Sequence, residues 1–371
     1  MSQDIRDLAP ASCTLLGYGE PSHQEPAFPL RRNALFARLA GHGFRSIALE
    51  TDRVAALAVD GFVRDGVGTL DTAMKEGFSH GFGELDANRR LVAWMRDHNE
   101  DLPAADRLAF HGFDASTEMM SAPSPRRYLE HARDYLGLDV AIPAGDDERW
   151  SRTEAVMDPA ASPGATPEAD TLLAIADDLL TTLYSRAPER IAATSRAEWV
   201  RARTHLTAGL GLLRYHKQAA IDGPERYSRL SGTRDAIMAL NLLDIRDLEA
   251  RRGPTMVFAH NSHLQRSTSI WNSAVANLVW SGAGAIVGSL LGEQYVFVAG
   301  SVGRSEALRL GEPEPETYEA ALQKRVDGWG LVRAVEPART RTDAIPETGY
   351  FPLTPEILEG ADAVLHISAT T

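Results

Sequence analysis

The stretch SCTLLGYGEPSHQE, residues 12–25, is a short apolar run that ends in a polar, glycine-containing turn. The same arrangement occurs in three further stretches, FRSIALETD (44–52), RLAFHGFD (107–114) and PTMVFAHNSH (254–263). Each apolar run has the length and composition of a buried strand. Further apolar runs predict strands at 284–291, 294–301 and 362–368. We therefore expect a core built largely from buried strands.

The segments between these strands have helical patterns. Residues 31–43 carry apolar side chains at three-to-four spacing and end in glycines, which predicts a helix with a C-terminal stop. Residues 84–99 predict a second amphipathic helix that leads into the third strand. Strand–helix–strand units of this kind are what a parallel sheet with right-handed crossovers requires.

The middle of the chain differs, because residues 117–250 have helical patterns and no convincing strand. The clearest helical patterns lie at 171–184, 197–218 and 234–253. The predicted fold is a three-layer α/β core with a mainly parallel central sheet flanked by helices. We expect a single domain over residues 1–371, in which the helical insertion at 117–250 forms one wall of a cleft.

Composition excludes several classes of partner. The formal net charge of −13 and the lack of a Lys/Arg-rich run argue against a nucleic-acid-binding protein. No apolar stretch is long enough to cross a bilayer, so no membrane partner is expected. The N-terminus has no apolar signal-peptide region, which predicts a cytoplasmic protein, and a single cysteine, Cys13, rules out an internal disulfide framework. The sequence leaves protein partners open.

Histidines and carboxylates are concentrated in the turns that follow the predicted strands. Ligands of open parallel sheets bind beyond the carboxyl ends of the strands, so these side chains are expected to meet at one edge. The turns contribute Glu20 and His23, Glu50 and Asp52, His111 and Asp114, and His260, Asn261 and His263, and a further turn contains His80. Each has an ordinary alternative: Glu50 fits a salt bridge with Arg53, and Asn261 fits a helix cap.

The motifs that the chain lacks narrow the chemistry. It contains no G-x-S-x-G, no HExxH and no P-loop, and GYGEP lacks the third glycine of a dinucleotide fingerprint. Histidine and carboxylate without a side-chain nucleophile suit general-base activation of water, with polar donors that polarise a carbonyl. The same residues leave open a divalent metal bound by His260, His263, His23 and a carboxylate. No cofactor is expected.

Several motifs in order, from about residue 14 to 300, resemble the erythromycin esterase family. They are Gly19-Glu20-Pro21-Ser22-His23, Ala48-Leu49-Glu50, Trp94 with Arg96 and Asn99, His111-Gly112-Phe113-Asp114, Arg234 with Asp235 and Asn241, and Asn261 between His260 and His263. The resemblance implies that His23 activates water without a metal and that Glu20 orients it. It also implies that Arg32, His260 and His263 bind substrate and stabilise the oxyanion.

The sequence departs from the family pattern at two positions. Gln24 stands where the family usually has glycine, and Phe82 or a neighbour stands where tryptophan is common. The helical insertion does not match the macrolide enzymes, and the family includes members named for polysaccharide biosynthesis. Family membership therefore does not settle the substrate.

We predict a hydrolase that cleaves an ester, lactone or related acyl bond of a small-molecule natural product, with a role in macrolide resistance or in secondary metabolism. The expected catalytic residues are His23, Glu20, Glu50, His260 and His263, with no metal ligands. The expected substrate-binding residues are Arg32, Arg234, His80, His111, Asp114 and Asn261. Three alternatives stay open: a lyase, dehydratase or cyclase of a biosynthetic pathway, a metal-dependent hydrolase, and a binding protein without turnover.

Overall fold

A seven-stranded sheet forms the centre of the protein in a computed structural model that describes residues 4–118, 120–272 and 277–370. The strands are β1 (Leu15–Glu20), β2 (Ser46–Asp52), β3 (Ala109–Asp114), β4 (Thr255–His260), β5 (Thr268–Asn272), β6 (Asn277–Ser281), β7 (Tyr295–Ser305), β8 (Trp329–Val332) and β9 (Ala363–Thr370). The sheet order is β3-β2-β4-β1-β7-β9-β8, while β5 and β6 form a separate antiparallel hairpin. All sheet neighbours are parallel except β8, which runs antiparallel to β9.

Helices cover both faces of this sheet. They are α1 (Ala27–Ala40), α2 (Ala56–Asp65), α3 (Leu70–Glu76), α4 (Asp86–Asn99), α5 (Arg126–Leu136), α6 (Asp147–Ser151), α7 (Thr153–Met157), α8 (Pro167–Ser185), α9 (Ala187–Ala193), α10 (Arg196–Ala219), α11 (Arg226–Glu249), α12 (Asn261–Leu264), α13 (Ala283–Leu291), α14 (Tyr318–Gln323) and α15 (Pro355–Gly360). Apolar side chains of α1, α2 and α4 pack on one face, and those of α11, α13 and α14 pack on the other. The predicted three-layer α/β architecture with a mainly parallel sheet is confirmed.

The segment predicted to be helical has a core of its own. Helices α5, α8 and α10 enclose a cluster that includes Leu129, Leu172 and Leu206, all buried. Within the described part of 117–250, every named element is helical, and Glu118 and Ser121 form one isolated bridge. Helix α11 packs on the sheet instead, and Arg234 and Asp235 in its first half reach residues at the strand ends. No helix in the described ranges combines the length and apolarity needed to cross a membrane.

The prediction of a strand at 284–291 is wrong, because this run forms helix α13. Ala283, Gly284 and Val287 are buried on one side of the helix, whereas Leu290 is exposed. A short continuous apolar run has no periodicity that separates a buried strand from a helix. The hairpin of β5 and β6 was not predicted, because its strands are largely exposed and carry mixed polar residues.

Gly19 explains how the end of β1 accommodates the loop after β4. A Cβ atom at Gly19 would lie 2.1 Å from Oδ1 of Asn261, so a side chain there would collide with it. Asn261 uses this space to bind Gly300 of β7, donating from Nδ2 to the carbonyl and accepting the amide, both at 2.9 Å. The glycine in the opening motif thus permits a polar clamp across three neighbouring strands.

Candidate active site

The polar ends of four adjacent strands meet at one edge of the sheet. Glu20 closes β1 and is paired in register with His260, the last residue of β4. Glu50 lies near the end of β2, and Asp114 closes β3. Because all four strands run parallel in the order β3-β2-β4-β1, their carboxyl ends deliver these groups side by side.

His23 lies between two carboxylates. Its Nδ1 is 2.8 Å from Oε1 of Glu20, and its Nε2 is 3.6 Å from Oε1 of Glu50. Both carboxylates are buried, whereas the side chain of His23 is 35% exposed. The imidazole is therefore the part of this group that a ligand in solution can reach.

A second imidazole, that of His263, contacts the same carboxylate oxygen of Glu50. Nε2 of His263 lies 3.3 Å from Oε1 of Glu50, and its Nδ1 lies 2.8 Å from Oδ1 of Asp235. Asp235 belongs to α11 and is fully buried. Carboxylates and imidazoles thus alternate in one continuous chain from Asp235 through His263, Glu50 and His23 to Glu20.

Arg234 extends this chain of charges towards β3. It donates to both carboxylate oxygens of Asp114, from Nε at 2.9 Å and from Nη2 at 2.6 Å, and Nη2 also lies 3.4 Å from Glu50. His80 binds Asp114 from the other side at 2.8 Å and also lies 2.9 Å from Glu118. His80 has a φ of 57°, an uncommon conformation for a residue with a side chain.

These contacts shift the protonation of the central groups. Burial disfavours the charged forms of Glu50, but the nearby charges of His263, His23 and Arg234 hold the pKa of Glu50 well below its ordinary value. Burial also opposes protonation of His23, yet Glu50 and Glu20 raise the pKa of His23 to about 10. The pKa of Glu20 is raised, chiefly by burial, and the pKa of His263 is raised by Asp235 and Glu50 against the effect of burial.

His260 differs from the other two histidines, because its ring nitrogens bind Ser262 and the carbonyl of Pro21 instead of carboxylates. Its Nδ1 accepts the backbone N–H of Ser262 at 3.2 Å, so Nε2 carries the proton and donates to the carbonyl of Pro21 at 3.1 Å. Burial and the charge of His23 lower the pKa of His260 to about 3. Its backbone N–H donates to Oε2 of Glu50 at 3.0 Å. His260 therefore holds the opening turn and Glu50 in place as a neutral ring.

A pocket of about 390 Å³ opens beside His23. Its lining consists of Glu20, His23, Pro29, Arg32, Leu49, Glu50, Phe78, Phe82, Leu85, Asn88, Phe258 and Ala259. Arg32 is buried, and its guanidinium donates to the side-chain oxygens of Asn33 and Asn88 and lies over the ring of Phe258. Burial lowers the pKa of Arg32 to about 10. One end of the pocket thus holds the imidazole, and its walls are largely apolar.

The helical segment at 117–250 contributes to the site through its last helix. The residues that line the pocket come from α1, the strand ends of β1, β2 and β4, and the segment 78–88. Arg234 and Asp235 of α11 reach the other side of Glu50, through their contacts with Asp114 and His263.

Two predicted site residues lie apart from this cluster. His111 lies within β3 and contacts Glu249 at 3.0 Å and Arg53 at 3.2 Å, so its ring faces the sheet–helix boundary. The side chain of Asn261 is occupied by its two hydrogen bonds to Gly300. Neither side chain is placed to touch a ligand in the pocket.

Sequence reasoning assigned no role to two residues that organise the site. Asp235 appeared only as part of a motif, although its position next to Arg234 was a usable signal. Trp280 donates from its indole to Asp235 at 2.8 Å, and nothing in the sequence indicated this. Within the described ranges, no group of three or more His, Cys, Asp or Glu side chains is arranged to hold a metal ion.

The fold and the site define an α/β protein that holds an imidazole between carboxylates at the ends of parallel strands. The chain belongs to the erythromycin esterase family, whose model matches residues 39–368. The opening motif at 19–23 precedes the matched range. No curated protein sequence matches the chain.

Solved structures share the fold at low sequence identity. A Bacillus cereus protein is 16% identical, with a TM-score of 0.68 over 97% of this chain and 89% of its own. A protein described as a succinoglycan biosynthesis protein is 17% identical, with a TM-score of 0.68 over 97% of this chain and 88% of its own. A mutant of erythromycin esterase EreC in its open conformation is 17% identical, with a TM-score of 0.64 over 96% and 90%.

Proposed function

We propose that the protein is a hydrolase that cleaves an ester, lactone or related acyl bond of a small natural product. The observation that carries the proposal is the Glu20–His23–Glu50 arrangement beside a pocket, in a member of the erythromycin esterase family. The imidazole is the exposed member of the group, while the carboxylates that orient it are buried. This is the geometry of a positioned base with a fixed orienting partner.

His23 takes the proton in the proposed reaction. Neutral His23 keeps its Nδ1–H on Glu20 and presents Nε2 to a water molecule in the pocket. Nε2 accepts a proton as the water oxygen bonds to the acyl carbon, and the resulting imidazolium is stabilised by Glu20 and Glu50. The same proton then goes to the leaving oxygen as the tetrahedral intermediate collapses to acid and alcohol.

Cationic donors near Glu50 stabilise the developing oxyanion. Nε2 of His263 and Nη2 of Arg234 both point at Oε1 of Glu50, at 3.3 and 3.4 Å. A carbonyl oxygen that approached Oε1 of Glu50 would share these two donors. Asp235 and Asp114 already hold the donors in position, and such preorganisation is the main source of oxyanion stabilisation. Arg32 also lines the pocket, and in the proposed complex it binds a polar group of the substrate.

The resting protonation of His23 sets a condition on this chemistry. A pKa of about 10 leaves the imidazole protonated at neutral pH, so it must lose a proton before it acts as a base. The reaction is therefore expected to accelerate as the pH rises above neutral.

The pocket favours substrates with an apolar acyl group. Phe78, Phe82, Leu85 and Phe258 supply much of its apolar wall, and apolar walls of this kind are typical of small-molecule sites. Erythromycin esterase EreC shares the fold, so macrolides belong among the candidates, together with a role in resistance. We place the reaction in the cytoplasm.

A panel of aryl esters, simple lactones and macrolides tests the proposal. The wild-type chain should hydrolyse at least one class, and His23→Gln should reduce that turnover about 10²–10⁴-fold. Equal turnover by both proteins would exclude His23 as the base. Failure on macrolides alone would remove that substrate class and leave the site assignment intact.

A second function is supported by the structural neighbour described as a succinoglycan biosynthesis protein. The same base could remove a carbon-bound proton in an elimination or cyclisation step of a biosynthetic pathway. Reaction in ¹⁸O-labelled water separates the two functions. Hydrolysis places one label in the carboxylic acid product, whereas elimination or rearrangement leaves the products unlabelled.

A further inference from the structure

Both carboxylate oxygens of Asp235 are held by donors outside the helix that carries it. The indole Nε1 of Trp280 donates to Oδ2 at 2.8 Å, and the backbone N–H of Ala283 donates to Oδ1 at 2.8 Å. His263 donates its Nδ1–H to the same carboxylate, 2.8 Å from Oδ1 and 3.0 Å from Oδ2. A fully buried carboxylate with three donors has little freedom to rotate.

The orientation of this carboxylate determines where His263 points. Because Nδ1 is tied to Asp235, Nε2 is directed at Oε1 of Glu50, 3.3 Å away. The same carboxylate helps to raise the pKa of His263 and so favours its doubly protonated form, in which Nε2 is a donor. A change in the hydrogen bonds to Asp235 therefore changes the orientation of the donor that faces Glu50, a residue of the pocket lining.

The hairpin that carries Trp280 is fastened on both strands. The backbone N–H of Val279 in β6 donates to the hydroxyl of Ser228 in α11 at 3.0 Å. The hydroxyl of Ser269 in β5 donates to the carbonyl of Ser262, in the same short helix as His263, at 2.5 Å. Trp280 thus lies on an element attached both to the helix of Asp235 and to the loop of His263.

We propose that Trp280 is a positioning residue, which acts through Asp235 to hold His263 in the orientation and protonation that the acyl-transfer site needs. Its catalytic consequence rests on the proposed function, whereas its effect on His263 does not. None of the described residues of this hairpin lines the pocket, so Trp280 acts on the site through Asp235.

Trp280→Phe keeps an aromatic ring and removes the indole N–H. With the ester that the wild-type chain hydrolyses best, kcat should fall about tenfold, while KM stays within about twofold, because the lost bond orients a donor rather than binds substrate. Trp271→Phe is the matched control, since Trp271 lies on the same hairpin and is 44% exposed. An equal loss of kcat in Trp271→Phe would overturn the proposal.

A measurement on the resting protein separates this inference from the proposed function. In the wild-type chain with ¹⁵N-labelled histidine and tryptophan, the Trp280 indole N–H signal should shift with pH at the same midpoint as the His263 ring. In Trp280→Phe, the midpoint of His263 should move to lower pH, because its carboxylate partner is held less firmly. The proposal would be overturned, even for a fully active enzyme, by an indole signal that does not shift as His263 titrates. An unchanged titration midpoint of His263 in Trp280→Phe would overturn it as well. A protein without esterase activity would leave this titration interpretable.

Discussion

Nδ1 of His23 lies 2.8 Å from Oε1 of Glu20, three residues earlier at the end of β1. One turn of chain therefore supplies both the imidazole and the carboxylate that orients it. Pro21 and Ser22 between them are buried, and the carbonyl of Pro21 accepts the amide of Phe351. This contact and the burial of the two residues hold the turn in place, so the Glu20–His23 geometry exists before any ligand binds.

His23→Ala should abolish most of the turnover without unfolding the protein. The imidazole is partly exposed and makes its polar contacts within the site, so its loss leaves the core unchanged. The expected fall in kcat is about 10²–10⁴-fold, the usual contribution of a positioned base. Steady-state kinetics on the best ester, together with a thermal melt, measures both effects. His42→Ala, an exposed histidine outside the site, is the control and should behave as wild type.

The rate should rise with pH across the neutral range. Glu50 and Glu20 raise the pKa of His23 to about 10 against the effect of burial, so each pH unit below that value reduces the neutral imidazole about tenfold. We expect kcat/KM to increase about tenfold per pH unit from pH 7 to 9, after subtraction of the uncatalysed hydrolysis. A flat profile over this range would contradict His23 as the titrating base.

Glu50→Gln should move this limb of the profile to lower pH. Glu50 is the carboxylate that raises the pKa of His23 most, and its replacement removes that negative charge. The kcat at the plateau should fall, because Glu50 also receives His263 and Arg234. The pH profiles of variant and wild type, measured side by side, separate the shift of the limb from the loss at the plateau.

The sequence predicts those parts of the site that lie at strand ends. Glu20, Glu50, Asp114 and His260 follow apolar runs, and parallel pairing brings such positions to one edge whatever the loops do. His111 lies inside β3, three residues before the strand end, and its ring contacts Glu249 instead of the strand-end cluster. Composition alone groups it with Asp114, although only Asp114 stands at the end of the strand.

The remaining parts of the site depend on contacts that no local pattern records. Trp280 reaches Asp235 from a hairpin 45 positions further along the chain, and its own strand is mostly exposed. The run at 284–291 forms a helix because it packs against α11, which is a tertiary preference. Strand order and helix packing determine these features, and sequence periodicity predicts neither of them.

Asp114→Asn should destabilise the protein strongly. The carboxylate is fully buried and binds Arg234 with two hydrogen bonds and His80 with a third. Its neutralisation leaves the guanidinium of Arg234 with only its longer contact to Glu50, and removal of one charge of a buried pair typically costs about 3–5 kcal/mol. Urea unfolding at pH 7 measures the change.

Asp86→Asn is the matched control for this experiment. Asp86 pairs with Arg90 on the surface of α4, where both side chains are more than half exposed. Such a pair contributes about 0–1 kcal/mol. A similar change in both variants would contradict the central place of Asp114 in the network.

Gln24→Gly should preserve the opening turn. The backbone of Gln24 has no positive φ, so the turn does not require glycine at this position. Its side chain donates to the carbonyl of Glu347 at 3.1 Å and ties the segment near Phe351 to the turn. We expect wild-type KM and kcat within about threefold, with a melting temperature lower by a few degrees. Loss of activity in Gln24→Gly would show that the side chain takes part in the chemistry.

Acidification below pH 6.5 should destabilise the protein through its buried histidines. Burial lowers the pKa of His260 and His366 to about 3 and of His205 and His216 to about 4. In the unfolded chain these rings take up protons near pH 6.5, so below that pH the unfolded state binds more protons than the native state. The free energy of unfolding should therefore fall as the pH drops from 6.5 towards 4, by about 1.4 kcal/mol per pH unit for each histidine. The raised pKa of His23 acts in the other direction, because its stabilisation is complete below pH 6.5 and is lost only towards pH 10.

Urea midpoints at pH 7, 6 and 5 measure how steeply the free energy of unfolding falls with pH. His205→Gln, away from the site, should reduce this slope by the contribution of one histidine. A slope that is unchanged in this variant would show that His205 is protonated in the native state.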